Sequence, residues 1–379
     1  VNFPSSPIRI EWPDATCELH TGSLAQIVEG EHLLAVIPAS TTSLVLLRDA
    51  AVPAALLAPI RSFMAGKVPL KEFEVAGGES CKTPQGWFSI LEILAQSKLD
   101  RGGLVIVAGG GALGDAAGFA ASVWHRGVPW IAIPTTLLAM VDAHVGGKTA
   151  IHHSGIKNRI GSFHLPRAVL ADPTMLDSLP LQQRSQGWAE LIKAAWIGAP
   201  DLLEELESQP RSIPEDLIPA HHQIAAAVAV KVGLVEEDPF EVGRREHLNL
   251  GHTLAHALEM NTTPQLLHGE AVSLGMVFAA TLAEQLSIAV PGTATRVSDL
   301  LQRVGLPVDW SDFPIEPIMS SLLDDKKVRA GRQRWVLPRK PGDIVVEEIS
   351  DQVVEQVFRS SPPRATVNPV APERSHDAR

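Results

Sequence analysis

Two histidines four residues apart stand in the stretch Asn249-Leu250-Gly251-His252-Thr253-Leu254-Ala255-His256. Residues 253–259, TLAHALE, continue a helical pattern, so both imidazoles fall on one helical face. A third histidine follows in Leu267-His268-Gly269-Glu270, and Glu190 stands upstream in Ala189-Glu190-Leu191-Ile192-Lys193. Two neutral imidazoles with one carboxylate make a zinc set of the catalytic kind, with coordination positions left open for substrate. Spacing alone also suits an ordinary polar helix face, and it does not say which two histidines belong to the set. A second signal is Gly109-Gly110-Gly111-Ala112-Leu113-Gly114-Asp115, after an apolar run at 103–108 and before a helix starting near Ala116. Glycine lets the backbone approach a pyrophosphate, and a helix N-terminus favours the anion. A glycine run is often a plain tight turn, but its strand-to-helix setting points to a nucleotide. The chain has no tyrosine, so proton transfer falls to His, Lys, Asp, Glu or a ligand.

These residues need elements to carry them. The first half alternates short apolar runs with helical stretches. Residues 8–12 and 17–20 read as an opening pair of strands; 33–37, 43–47, 73–75, 103–108, 130–134 and 168–171 read as further strands. Residues 52–65 and 84–97 read as helices. The run at 103–108 is apolar throughout, as in a parallel sheet buried on both faces. Such alternation predicts an α/β layer. From about Pro173 the pattern becomes helical, over 184–197, 202–207, 219–237, 247–260, 269–285 and 294–304, with a small ribbon at 335–338 and 344–346. The expected organisation is an α/β dinucleotide-binding domain over 1–175 and a helical domain over 176–360. Residues 361–379 are rich in Pro and charge and read as a disordered tail.

Composition narrows the function. At 379 residues there is room for two domains. The net charge of −11, without a basic run, argues against nucleic acid as partner. Cys17 and Cys81 are the only cysteines, which excludes a disulfide framework and a thiolate metal site. No apolar run is long enough to span a membrane, and the expectation is a soluble, cytoplasmic protein.

Several longer motifs carry a resemblance. Arg126-Gly127-Val128, residues 134–142 (PTTLLAMVD), Gly146-Gly147-Lys148-Thr149 and residues 157–164 (KNRIGSFH) resemble the 3-dehydroquinate synthase family. So do residues 189–193 (AELIK), the LNLGHT stretch, residues 267–272 (LHGEAV) and Asp325-Lys326-Lys327. The likeness runs in order from about Glu79 to Pro341. It implies a Rossmann-like N-terminal domain, an all-α C-terminal domain and an active site in the cleft between them. It also implies a homodimer that uses NAD and a divalent metal, zinc or cobalt. The implied reaction converts 3-deoxy-D-arabino-heptulosonate 7-phosphate into 3-dehydroquinate and phosphate in the shikimate pathway, a lyase reaction in which NAD is regenerated.

Carried over by motif, Glu190, His252 and His268 become the metal ligands, in place of the pairing of His252 with His256. Glu79, Lys82, Gly110, Gly111, Gly114, Asp115, Thr135, Thr136, Asp142, Lys148 and Lys157 become cofactor-binding. The substrate is a phosphorylated sugar acid, and an acidic protein must hold its two anionic ends with local cations. Lys148, Lys157, Lys193, Lys231, Arg245 and Lys326 (or Lys327) are the candidates, with Asn158 and Asn249 as neutral partners. The resemblance implies that Arg126 reaches into the partner subunit's site, that His256 acts near the leaving phosphate, and that Asp142 orients hydroxyls.

Four positions depart from the family pattern. Residues 37–40 (IPAS) lack the acid expected after the second strand, which leaves the adenine-ribose contact unassigned. Pro239 follows Asp238 where Glu is usual, Gln183 replaces a frequent Glu, and Ala255 replaces a Gly. Other readings are a sister sugar-phosphate cyclase closing sedoheptulose 7-phosphate or glucose 6-phosphate, a metal-dependent alcohol dehydrogenase, and a non-catalytic relative. Arg245 with Asn249 favours a substrate that bears a carboxylate.

Overall fold

The apolar runs LVLLRD, LVIVAG, WIAIP and AVLA are buried at nearly every position and become the inner strands of one sheet. The computed structural model describes residues 7–12, 15–29, 32–208, 213–239, 241–262, 266–324 and 332–360. The chain divides into two compact units, Val1–Pro180 with Ile218–Phe240, and Leu181–Leu217 with Glu241–Arg379. Residues 218–240, expected in the helical domain, therefore belong with the first unit. Lys326, Lys327 and the tail at 361–379 lie outside the described residues.

The first unit holds β1 (Ile8–Trp12), β2 (Ala15–Thr21), β3 (Leu44–Asp49), β4 (Leu70–Val75), β5 (Leu104–Gly109), β6 (Trp130–Pro134), β7 (Lys148–His153), β8 (Ile156–Phe163) and β9 (Ala168–Ala171). Seven of these form the sheet β1-β2-β9-β6-β5-β3-β4, parallel except for the β1–β2 pair. After β3 the chain moves outward to β4, then returns to β3's other side for β5 and continues to β6. The order reverses between β3 and β5, and in open α/β sheets the strand ends at such a point form a ligand crevice. Arg48 pairs with Ala108, so the terminal residues Asp49 and Gly109 end side by side.

Two expectations change here. Residues 33–37 are not a strand: His32–Val36 is a short helix. A five-residue apolar run suits either structure, because its periodicity is too short to choose. The β7–β8 ribbon was not expected, since β8 is exposed at seven of its eight positions and shows no buried alternation. Its signal is the two-residue turn Ser154-Gly155, both at positive φ (50° and 75°), which suits a tight hairpin.

Two helices of this unit matter for the site: α1 (Gly111–Val123), directly after β5, and α3 (His221–Glu237). Between them in sequence lies α2 (Leu181–Gly198) of the second unit, which also contains α4 (His252–Asn261), α5 (His268–Gln285) and the ribbon β10 (Arg332–Lys340) and β11 (Asp343–Ser350). The expected single helix over 247–260 is interrupted at Gly251, whose φ of +81° suits glycine alone. Phe278 of α5 anchors the core, with ring centroids 5.3, 5.4 and 5.8 Å from Trp310, Trp335 and Phe358. No helix of the described residues is long and apolar enough to cross a membrane.

Candidate active site

In the second unit, backbone contacts fix where three ligand atoms meet. A Cβ on Gly269 would lie 2.4 Å from the Gln186 carbonyl oxygen, so the start of α5 rests directly on α2. The Glu270 amide donates to Gln186 Oε1 at 3.0 Å, one turn before Glu190. A Cβ on Gly275 would lie 1.9 Å from the Gly251 carbonyl oxygen, so the start of α4 rests on the middle of α5. His252 and His268 are each the first residue of their helix. Their close-packed starts bring ligand atoms of Glu190, His252 and His268 within 4.8 Å of one another.

This group fits a metal ion. The Nε2 atoms of His252 and His268 stand 3.6 and 3.5 Å from Glu190 Oε1. Ligands about 2.0–2.1 Å from a tetrahedral zinc ion are separated by roughly 3.3–3.4 Å. Glu190 Oε1 is buried and receives no hydrogen bond, a vacancy that a cation would satisfy. His252 Nδ1 faces the Leu250 carbonyl at 3.3 Å, and His268 Nδ1 faces Glu259 Oε1 at 3.0 Å. With both N–H groups on Nδ1, both Nε2 lone pairs face Glu190.

The electrostatics agree. Burial tends to raise the Glu190 pKa, but Lys193 and the two histidines hold it well below the usual carboxylate range. Lys193 Nζ pairs with Glu190 Oε2, and their side chains are 4% and 2% exposed. Burial, then Lys193, pushes His252 down to about 3. Burial pulls the His268 pKa down, yet the neighbouring carboxylates of Glu190 and Glu259 outweigh it and raise it to about 9. A metal would take the place of that proton.

Around this group, Arg245 is 2% exposed and Asn249 Nδ2 donates to Glu241 Oε1 at 3.2 Å. Glu241 holds φ +58°, a left-handed conformation uncommon for a residue with a side chain. The His256 ring centroid lies 5.5 Å from that of His252, but His256 is not part of the ligand group.

In the first unit, residues 110–115 and 135–136 directly follow the ends of β5 and β6. Gly110 caps α1, a Cβ on Gly111 would come within 2.8 Å of Ala143 Cβ, and one on Gly114 within 1.9 Å of His144 Nε2. Thr135 donates its amide to the Gly109 carbonyl at 3.0 Å, and Thr136 Oγ1 accepts from the Ala139 amide at 3.2 Å. Lys82 Nζ meets Asp115 Oδ2 at 2.5 Å; burial raises the Asp115 pKa and Lys82 opposes it. Helix α3 carries Lys231 to Asp142, with Nζ 2.5 Å from Oδ1 and 2.6 Å from the backbone oxygen. Lys148 begins β7, and Lys157 and Asn158 lie exposed on β8. Arg126 is exposed on a turn where it and His125 both hold positive φ, 71° and 50°.

Four residues at these sites escaped the sequence reading. Asp49 ends β3 beside Gly109; with 33–37 helical, the strand-end acid missing from 37–40 is found here. An acid closing the run LVLLRD was its signal. Glu259 lies seven residues after His252, two turns along one face, a spacing visible in residues 252–259 (HTLAHALE). His152 Nε2 contacts Glu79 Oε2 at 2.5 Å, and Glu241 holds Asn249; neither has a sequence signal beyond its neighbours.

The sequence matches the description "3-dehydroquinate synthase N-terminal" over residues 72–186 and "3-dehydroquinate synthase C-terminal" over residues 187–328. A 3-dehydroquinate synthase of Acaryochloris marina is 41% identical over 297 residues, covering 77% of this chain and 79% of that protein. A 2-epi-valiolone synthase of Actinosynnema mirum is 39% identical over 287 residues, covering 74% and 75%. Among solved structures, ValA (2-epi-5-epi-valiolone synthase) from Streptomyces hygroscopicus subsp. jinggangensis, with NAD+ and Zn2+ bound, superposes with a TM-score of 0.80. It is 27% identical, with 92% of this chain and 97% of that chain covered.

Proposed function

Since the chain belongs to the 3-dehydroquinate synthase family, we propose that it converts 3-deoxy-D-arabino-heptulosonate 7-phosphate into 3-dehydroquinate and phosphate, with NAD and zinc or cobalt. The observation that carries this reading is the group of buried Glu190 with the part-exposed His252 and His268, and the Lys193 paired with Glu190. When bound at Glu190, His252 and His268, a metal would supply Lewis-acid polarisation of a substrate hydroxyl, and NAD would supply a hydride acceptor that is regenerated within the turnover.

The chain's own residues have distinct tasks in this reading. Gly110, Gly111, Gly114, Asp115, Thr135 and Thr136 receive the dinucleotide, with Glu79 and Lys82 nearby. Asp49 takes the ribose hydroxyls, the usual task of an acid at a neighbouring strand end. Lys231 aims the Asp142 carboxylate, so that it accepts from a substrate hydroxyl. Lys148, Lys157, Lys193 and Arg245 hold the anionic ends, assisted by Asn158 and Asn249, and His256 assists phosphate departure. Arg245 matches a carboxylate with two parallel hydrogen bonds, which favours the heptulosonate over sugars without that group. A homodimer suits the exposed β8 and the strained, exposed turn that presents Arg126.

A second reading, a sister cyclase acting on sedoheptulose 7-phosphate, is favoured by the likeness to valiolone synthases. Purified protein with NAD and zinc is incubated with each sugar phosphate and the carbocyclic product identified by mass spectrometry. The expected result is 3-dehydroquinate with one equivalent of phosphate and no accumulation of NADH. Cyclisation of sedoheptulose 7-phosphate alone would establish the sister reading, and NADH rising in step with product would indicate a dehydrogenase.

A further inference from the structure

We propose that Glu259 is the positioning residue for His268, so that one helix, α4, both supplies a metal ligand and orients another. This rests on the reading of Glu190, His252 and His268 as the metal group. The two histidines are oriented by different means. His252 is held by a backbone carbonyl of its own turn, Leu250, at 3.3 Å. His268 begins α5, has a third of its side chain exposed, and is held by a side chain from another helix, Glu259 Oε1 at 3.0 Å.

Glu259 is itself 9% exposed and lies two turns beyond His252 on the same face of α4. Its carboxylate accepts the Nδ1 hydrogen of His268, which fixes the ring's rotation and tautomer and leaves Nε2 as the electron-pair donor 3.5 Å from Glu190. A carboxylate behind the imidazole also makes Nε2 a stronger donor. Because Leu250 acts through its main chain, no substitution removes its contact with His252. The orientation of His268 depends on a side chain and can be removed.

Zinc affinity, measured by competition with a chromophoric chelator without NAD or substrate, reads this directly. Glu259→Ala is expected to bind zinc about 10–100-fold more weakly. Glu259→Gln keeps an acceptor at the same reach and is expected to recover most of that loss, whereas Glu259→Asp, one carbon shorter, is not. The visible spectrum of the cobalt-loaded protein should change in the Ala and Asp variants and stay close to wild type in Gln. His268→Ala separates the two levels of the argument. If His268→Ala loses zinc while Glu259→Ala binds within about twofold of wild type, the role of Glu259 is overturned. If His268→Ala itself keeps wild-type affinity, the metal reading falls. Should Glu259→Ala not fold, equal affinities of the Asp and Gln variants would overturn the proposal.

Discussion

At the strand ends of the first unit, Gly110, Gly111 and Gly114 offer backbone, with Thr136, Ala143 and His144 packed close against them. Lys148, Lys157 and Asn158 of that unit lie exposed. In the second unit the candidate site consists of charges removed from water: Glu190, Lys193 and Arg245 are each at most 4% exposed. Buried charges persist only in sets, because each needs a partner to offset its lost hydration. A site made of main chain is therefore damaged by adding atoms, and a site made of paired charge by removing them.

The largest effect among the tests of this contrast is expected from Arg245→Ala. Deleting a buried guanidinium leaves its partner unpaired, costing on the order of 3 kcal/mol in the transition state, about 100-fold in kcat/KM. The loss should be greater for the heptulosonate phosphate than for an analogue without the carboxylate, while zinc and NAD binding stay constant. Equal losses would mean that Arg245 does not read the carboxylate.

Adding one methyl should do comparable damage in the first unit. In Gly114→Ala the new Cβ meets His144 Nε2 at 1.9 Å. Overpacking of about 1–3 kcal/mol predicts NAD binding weaker by roughly 5- to 100-fold, with zinc binding unchanged. Calorimetric titration with NAD measures it, and His144→Ala in the same chain should restore affinity by making room. Failure of that rescue would place the damage elsewhere than in the turn. The smallest effect is expected for Asp49→Asn, which keeps the shape and removes the charge: about 1 kcal/mol, a several-fold rise in the NAD Kd. An unchanged Kd would remove Asp49 from the ribose site.

The same contrast explains what could be read from the sequence. Strands β5, β6 and β9 were legible because burial on both faces makes them apolar at every position. The glycine run was legible because a backbone site needs residues without side chains. The ligand group depended on tertiary contact: His252 and His256 have the helical spacing, yet His268, sixteen residues on, completes the group through the Gly251–Gly275 approach. Only the family resemblance selected it beforehand. Residues 33–37 were misread because five apolar residues suit strand or helix, and that error concealed Asp49. Periodicity identified α3 as a helix but carries no information on which unit it packs against.

That last helix has a consequence for how the chain is made. Helix α3 contacts β1, β2 and the 139–143 turn, and the Glu11 amide donates to Glu236 Oε1 at 3.0 Å. The first unit is thus discontinuous: its N-terminal strand waits for a segment more than two hundred residues downstream. During synthesis, the sheet can assemble from residues 8–171, but its covering by α3 is delayed until the ribosome has also released Leu181–Leu217. Loop closure of that length is slow relative to local pairing. A truncated polypeptide ending near residue 180 would present the bare flank of β1 and an Asp142 without its lysine, which makes the first unit a late product of translation rather than an early one.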